Sequence, residues 1–333
     1  MAPNNAPTID VVTANGGHLS GSGPVAQRLM QNGFNINALR TQATLRKDEW
    51  IQYDTAVVEV ARRRLVGVAD MMAAGLVYNL PNALGTTKLE WETISDMDPA
   101  ILSMSGLSQS QNDRVNFELE SMPIPIIHKD FNLNIRTVMA SRTTGQPLDT
   151  TQAQLSARIV SEGIETLLFD GSTTLGSNNA LYGLTTAPNR NTGSLSAAWN
   201  TATGAQIVTN TLSMIAALVA DNMYGPYMLY ISAASYVHFG DDYKADSDKT
   251  IMERVSEIPG ISGIRPSKDL ADNEAVLVQL SADVVDIVDG IQPTTVEWEG
   301  QGGFIMYFKV MAIMLPRVRN TQLLQSGIAH FSV

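Results

Sequence analysis

The 333-residue sequence predicts an α+β protein of about two lobes, at a typical allotment of roughly 150 residues per domain. Three observations carry that reading. Residues 54–74 and 149–169 repeat apolar side chains at helical spacing. Residues 85–134 alternate with period two. From Ala205 onward, short helical and strand patterns follow one another.

Residues 1–45 read as an extended arm, because Gly16, Gly17, Gly21, Gly23, Pro24 and several Asn interrupt every short apolar stretch. A helix is predicted over 54–74 from Val57, Val60, Ala61, Leu65, Val68 and Met72, with Asp54 as its N-cap. Its Arg62, Arg63 and Arg64 are adjacent, so they point about 100° apart and form a solvated face rather than one patch.

Next comes the predicted ribbon. Leu89, Trp91 and Thr93 alternate with Lys88, Glu90 and Glu92, and Val115, Phe117 and Leu119 alternate with Arg114, Asn116, Glu118 and Glu120. Residues 95–113 form the loop tip, and Pro123 and Pro125 confine the return path to an edge. A hairpin this long has no core of its own, so it is expected to lie on something else, such as another subunit.

The helix over 149–169 has Asp149, Thr150 or Thr151 as its cap, and an apolar face of Ala153, Ala157, Val160, Ile164 and Leu167. Gly171 is its stop. At about 1.5 Å per residue it spans a domain and can serve as a spine. Residues 171–204 read as loop. The lobe beyond begins with a helix carrying Val208, Leu212, Ile215 and Val219, then a strand at Met228–Ile231, then a helix carrying Ile251, Val255 and Ile258. Strands follow at 275–280, 294–298 and 304–315.

Composition closes off several functions. With 44% hydrophobic and 17% charged residues the chain is ordinary globular material, and no run approaches the roughly 18 apolar residues of a membrane span. Met1–Asp10 lacks the basic start of a secretory signal, so synthesis in the cytoplasm is expected. The absence of cysteine excludes disulfides, thiolate metal sites and cysteine nucleophiles. A net charge of −11 argues against gripping nucleic acid through the average surface, but not against enclosing it.

Catalytic motifs are wanting too. His18, His128, His238 and His330 are scattered without metal-ligand spacing. No nucleophile elbow or phosphate loop occurs, and the glycine-rich runs at 21–23 and 300–303 read as turns. Asp241, Asp242, Asp246 and Asp248 lack the central Gly and terminal Glu of a calcium loop and read as a solvated acidic stretch. No enzyme activity, cofactor or metal is expected.

Three segments, in order, then carry a resemblance. Trp50-Ile51-Gln52-Tyr53-Asp54 leads into the Arg-rich helix. Residues 123–133, Pro-Ile-Pro-Ile-Ile-His-Lys-Asp-Phe-Asn-Leu, are followed by Gly145, Asp149 and a helix ending Glu165-Thr166-Leu167-Leu168-Phe169-Asp170-Gly171, and then by Gly183-Leu184. Gly225-Pro226-Tyr227-Met228-Leu229-Tyr230 precedes a Tyr236-bearing helix. Together these resemble the encapsulin and tailed-bacteriophage capsid superfamily of the Hong Kong 97-like fold.

The resemblance implies a division into an N-terminal arm (1–45), an N-terminal helix region (46–84) and an extended loop (85–134). A peripheral domain with the spine helix (135–205 and 305–333) and an apical domain (206–304) complete it. It also implies a major capsid protein that assembles with itself, as pentamers and hexamers, into an icosahedral shell around double-stranded DNA. That shell forms in the host cytoplasm and ends in the virion, with a portal and scaffold or decoration proteins as partners.

The roughly 45-residue arm before Trp50 is longer than the lead usual in encapsulins, which favours phage over an encapsulin enclosing a cargo enzyme. A motif-free soluble α+β enzyme is the rival outside the family. Lys88 and Asn320 are the residue types of the superfamily's isopeptide crosslink, yet no surrounding motif matches, so monomer-sized bands are expected. Inter-subunit contact candidates are Trp91 and Phe117, taken as one apolar ribbon face. To these are added Glu90, Glu92 and Glu118, to meet basic residues such as Arg142 or Arg317 across the boundary.

Overall fold

The computed structural model describes residues 10–12, 18–20 and 47–333, except 96, 98–99, 106, 108–113, 145–148, 174–180, 245–247 and 301–303. Of the arm, β1 (Asp10–Val12) and β2 (His18–Ser20) pair antiparallel. The rest of the arm, Gly145, Asp246, the glycines at 301–303 and the side chains of the arginine triplet lie outside the described residues. The chain divides into two compact units, one of 1–62, 128–160 and 293–312, the other of 63–127, 161–292 and 313–333. Among the described residues no helix is long and apolar enough to cross a membrane.

The single helix expected over 54–74 is two, α1 (Lys47–Arg64) and α2 (Gly67–Ala73), and Asp54 lies inside α1 rather than at its cap. The break is where the chain must approach a later helix closely. A Cβ on Gly67 would sit 2.7 Å from Leu168 Cδ2 and 3.0 Å from Glu165 Oε1, and Glu165 accepts hydrogen bonds from the Gly67 and Val68 amides. A continuous helix would have committed both amides to its own carbonyls.

The period-two segment is likewise two things. β4 (Lys88–Ile94) and β5 (Phe117–Pro123) form an isolated two-stranded sheet. Past Pro123 and Pro125 the chain leaves that ribbon, and β6 (Ile127–Asn134) joins a different sheet. Helix α3 (Ile135–Thr144) then follows, which periodicity did not reveal. The predicted spine is present as α4 (Thr151–Phe169). Asp149 caps it, accepting from the Thr151 hydroxyl and amide, and these bonds hold its carboxyl below the usual aspartate range. Gly171, at φ +69°, ends the helix as expected.

In the larger unit a five-stranded sheet runs in the order β7 (Asn191–Ser194), β13 (Ile328–Ser332), β10 (Glu274–Gln279), β8 (Tyr227–Ser232), β9 (Ile261–Ser267). β10 is antiparallel to both neighbours, whereas β13–β7 and β8–β9 are parallel. Every residue of β8 is buried. Helices α5 (Gly204–Ala220), α6 (Ala233–His238) and α7 (Ile251–Ser256) accompany the sheet, and capping boxes Thr203/Gln206 and Thr250/Glu253 start α5 and α7. Trp199, Tyr230, Phe169 and Phe239 are fully buried here, with Phe169 edge-on to Tyr230 at 5.3 Å. The stretch 171–204, expected as loop, thus supplies both an edge strand and a core tryptophan.

A second sheet contains β3 (Val77–Asn79), β11 (Val285–Gly300), β12 (Ile305–Val318) and β6. In the larger unit β3 pairs in parallel with the start of β11, Ile287 opposite Val77. In the smaller unit Phe131 of β6 stacks on Phe308 of β12 at 5.0 Å, and Lys309 lies 3.6 Å from Asp130 and 5.6 Å over the Trp298 ring.

Candidate assembly surface

The ribbon shows how backbone register decides which side chains share a face. Leu89 lies opposite Met122, Trp91 opposite Glu120 and Thr93 opposite Glu118. The alternate pairs are Glu90–Ser121, Glu92–Leu119 and Ile94–Phe117. Residues directly opposite one another project to the same side, so Trp91 and Phe117 lie on opposite faces. The expectation of one apolar face holding both rings is corrected by this register, since a one-residue difference in pairing moves every side chain across the sheet.

The lower ribbon is anchored in its own subunit. Leu89, Met122 and Ile124 are buried in a cluster with Leu80, Ala83, Leu181, Val288, Ile313 and Leu315, and Trp91 packs half-buried against it. Above this base the apolar side chains have no cover. Phe117 is 62% exposed and Leu119 65%, Leu107 is 88% exposed, and Leu102 and Met104 are wholly in solvent. Gln322, from the segment before β13, reaches the ribbon where base becomes tip, its amide donating to the Thr93 carbonyl at 3.0 Å and the Asn116 carbonyl at 3.3 Å.

Beneath the base sits a buried ionic group. Arg317, 4% exposed, donates in fork geometry to Asp286, with Nε 2.9 Å from Oδ1, and Arg319 reaches the same carboxylate at 2.9 Å. The Arg317 guanidinium lies over Tyr78 at 4.4 Å and faces Trp91 at 5.8 Å. Such a cluster holds its ring neighbours in place because parting the charges inside the protein is costly. Beside it is a cleft of about 270 Å³ lined by Trp91, Glu120, Met122, Leu181, Tyr182 and Pro316 among others. Burial, and then the neighbouring Glu118, push the Glu120 carboxyl up.

The candidate contact residues therefore fall in different places. Trp91 belongs to the anchored base and Phe117 to the open tip. Glu90 pairs with Lys88 at 3.1 Å in solvent, Glu92 and Glu118 are exposed on the ribbon, and Arg142 lies on α3 in the smaller unit. Arg317 is enclosed and engaged by Asp286. Sequence reasoning missed Gln322, Tyr78 and Asp286. The signal for Asp286 was a lone acid within Val284-Val285-Asp286-Ile287-Val288, a run otherwise apolar.

The chain is similar to several known proteins. The chain is 25% identical over 281 residues to the type 1 encapsulin shell protein EncA of Myxococcus xanthus, covering 83% of this chain and 91% of that one. The virus-like particle of Pyrococcus furiosus superposes with a TM-score of 0.59 at 18% identity, over 84% of this chain and 97% of that chain. The capsid of myoviridae phage XM1 gives 0.58 at 11%, over 78% and 90%, and that of cyanophage A-1(L) 0.55 at 13%, over 80% and 92%. The fold is the Hong Kong 97-like fold. A family profile matches residues 37–300, and the chain belongs to that family, DUF6260, described as a family of unknown function.

Proposed function

We propose that the chain is a shell subunit that assembles with copies of itself, as pentamers and hexamers, into an icosahedral container. The observation that carries this reading is the upper ribbon. Ile94, Phe117 and Leu119 are exposed on a two-stranded sheet, and Leu102, Met104 and Leu107 on the loop that joins its strands, an element that is marginal by itself in water. Removing a Leu, Met or Phe side chain from water is worth about 1.5–3 kcal/mol, and a neighbouring copy supplies cover at every position of a closed shell.

In this reading residues 85–134 are the extended loop and residues 1–45 the arm, with 46–84 the N-terminal helix region. Residues 135–205 with 305–333 are the peripheral domain and 206–304 the apical domain, β7 and β13 lending strands to the apical sheet. Phe117 with Glu92 and Glu118 meets the next copy, where exposed pairs to side chains such as Arg142 set register more than strength. No catalytic role is assigned to any residue.

For the contents we favour the double-stranded DNA of a tailed phage, in a virion assembled in the host cytoplasm with a portal and scaffold or decoration proteins. At least 45 residues precede the Trp50 helix, and an acidic chain encloses a polyanion without gripping it. A second reading, a compartment around a cargo enzyme, is favoured by the likeness to the Myxococcus xanthus shell protein.

The test is sizing chromatography with electron microscopy of the full chain. Megadalton particles or capsomers are expected, and a monomer or small oligomer under every salt and crowding condition would overturn the proposal. Nuclease-protected DNA in the particles supports the first content, and a co-purifying enzyme the second.

A further inference from the structure

Helix α2 is a keystone of the larger unit. Its N-terminal amides are held by Glu165 of the spine, its Asp70 pairs with Arg265 of β9 at 3.2 Å, and the chain leaving it becomes β3, which pairs with β11. One seven-residue helix thus ties the spine to both sheets. The side chain at its head is unusual in that Glu165 is 6% exposed and, among the described residues, no cation pairs with it. A Cβ at Gly67 would crowd both this carboxyl and Leu168.

The groups facing Glu165 compound the problem. Asp269, after β9, is held by Thr166 one residue along the spine, and its charge bears on Glu165. Tyr230 of β8 is buried beside Glu165 and Asp70. The two nearby cations are already engaged, Arg265 with Asp70 and Lys268 with Glu162. Asp170, one turn on, is itself pushed up by burial, with Asp269 adding to it. Nothing in this shell neutralises a carboxylate, and only the α2 amides favour one.

We propose that Glu165 is a proton-operated latch: as the neutral acid it seals α2 onto the spine, and on losing its proton it loosens the junction between spine and sheets. Burial, opposed by the amides and reinforced by Asp269, raises its carboxyl from 4.5 to about 7. The folded value lies above the unfolded one, so the seal is complete below about pH 4.5 and is lost as pH rises through about 7. The latch thus works within the range a cell or its surroundings can reach. In a shell it would let pH alter the shape of every subunit at once, a consequence that rests on the shell reading, whereas the local opening does not.

The experiment is hydrogen exchange of the full chain at pH 5.5 and 8.5, with protection corrected for the intrinsic pH dependence. The α2 amides are expected to lose roughly thirtyfold in protection at the higher pH, the value that a carboxyl moving from about 7 to 4.5 on opening gives, while the β8 amides hold theirs. Glu165→Gln, neutral at both pH values, should abolish the difference. Should that variant fail to fold, Asp269→Asn removes the adjacent charge and should move the midpoint to lower pH. Equal α2 protection at both pH values in the native chain, or an unmoved midpoint in Asp269→Asn, overturns the latch. Sizing of the same samples reports separately on assembly.

Discussion

The two ends of one ribbon have opposite relations to the protein that carries them. At its base, Leu89, Met122 and Trp91 share a core with β11 and β12, and the Arg317–Asp286 group lies below them. At its tip, Phe117 and Leu119 are mostly exposed and Leu102 and Met104 wholly so. The strands run in one unbroken register from Lys88–Pro123 to Ile94–Phe117, and what differs is that only the base packs on the core cluster. The subunit therefore anchors the base of the ribbon, and in the proposed shell the tip is what a neighbouring copy would cover.

The sharpest way to break that contrast is to undermine the base. Asp286→Ala strands Arg317, and in part Arg319, without their carboxylate inside the protein. Removing one partner of a buried pair costs about 3–5 kcal/mol, so urea unfolding of the unassembled subunit should show a loss of that order. A loss below about 1 kcal/mol would mean that the group is solvated and the base is not an anchor.

A paired substitution then sets base against tip directly. Trp91→Ala removes a half-buried ring from the core edge and the face that Arg317 meets, and should destabilise the lone subunit by about 2 kcal/mol, less than for a fully buried ring. Phe117→Ala, at an open site, should leave subunit stability within about 0.5 kcal/mol yet lower particle yield in the same preparation. If Trp91→Ala leaves the monomer as stable as before and only assembly suffers, both rings work between copies, and the division drawn here is void.

How much of this was legible follows from which interactions are local. The spine could be read because its signals are contiguous: the Asp149 cap, an apolar face at 3.6-residue spacing and the Gly171 stop all lie within 23 positions. The strands of the ribbon could be read from their alternation, but not their register, which is fixed by packing of Leu89 and Met122 against Leu181, Val288, Ile313 and Leu315. The break between α1 and α2 was invisible for the same reason. Apolar spacing runs unbroken from Val57 to Met72, and what interrupts the helix is Glu165, 98 residues beyond Gly67. The Asp286–Arg317 pair, 31 residues apart, left only two charged residues in apolar strands as its trace.

The smallest expected effect concerns the boundary between the two ends. Gln322 donates to carbonyls on both sides of the ribbon, Thr93 and Asn116, just where Ile94 faces Phe117. Its own segment is held by the Thr321 turn, in which Thr321 Oγ1 accepts from the Gln325 amide at 3.2 Å. Gln322→Ala deletes two neutral, partly exposed hydrogen bonds, each worth about 0.5–1.5 kcal/mol at most, so global stability should fall by about 1 kcal/mol. The tip should respond more than the base, because Leu89 and Met122 are also held by the core cluster. Faster exchange at Ile94 and Phe117, with Leu89 and Met122 unchanged, is the expected pattern. Equal loosening along the whole ribbon would show that the core holds the base less firmly than its burial implies, and that Gln322 anchors the element rather than trims it.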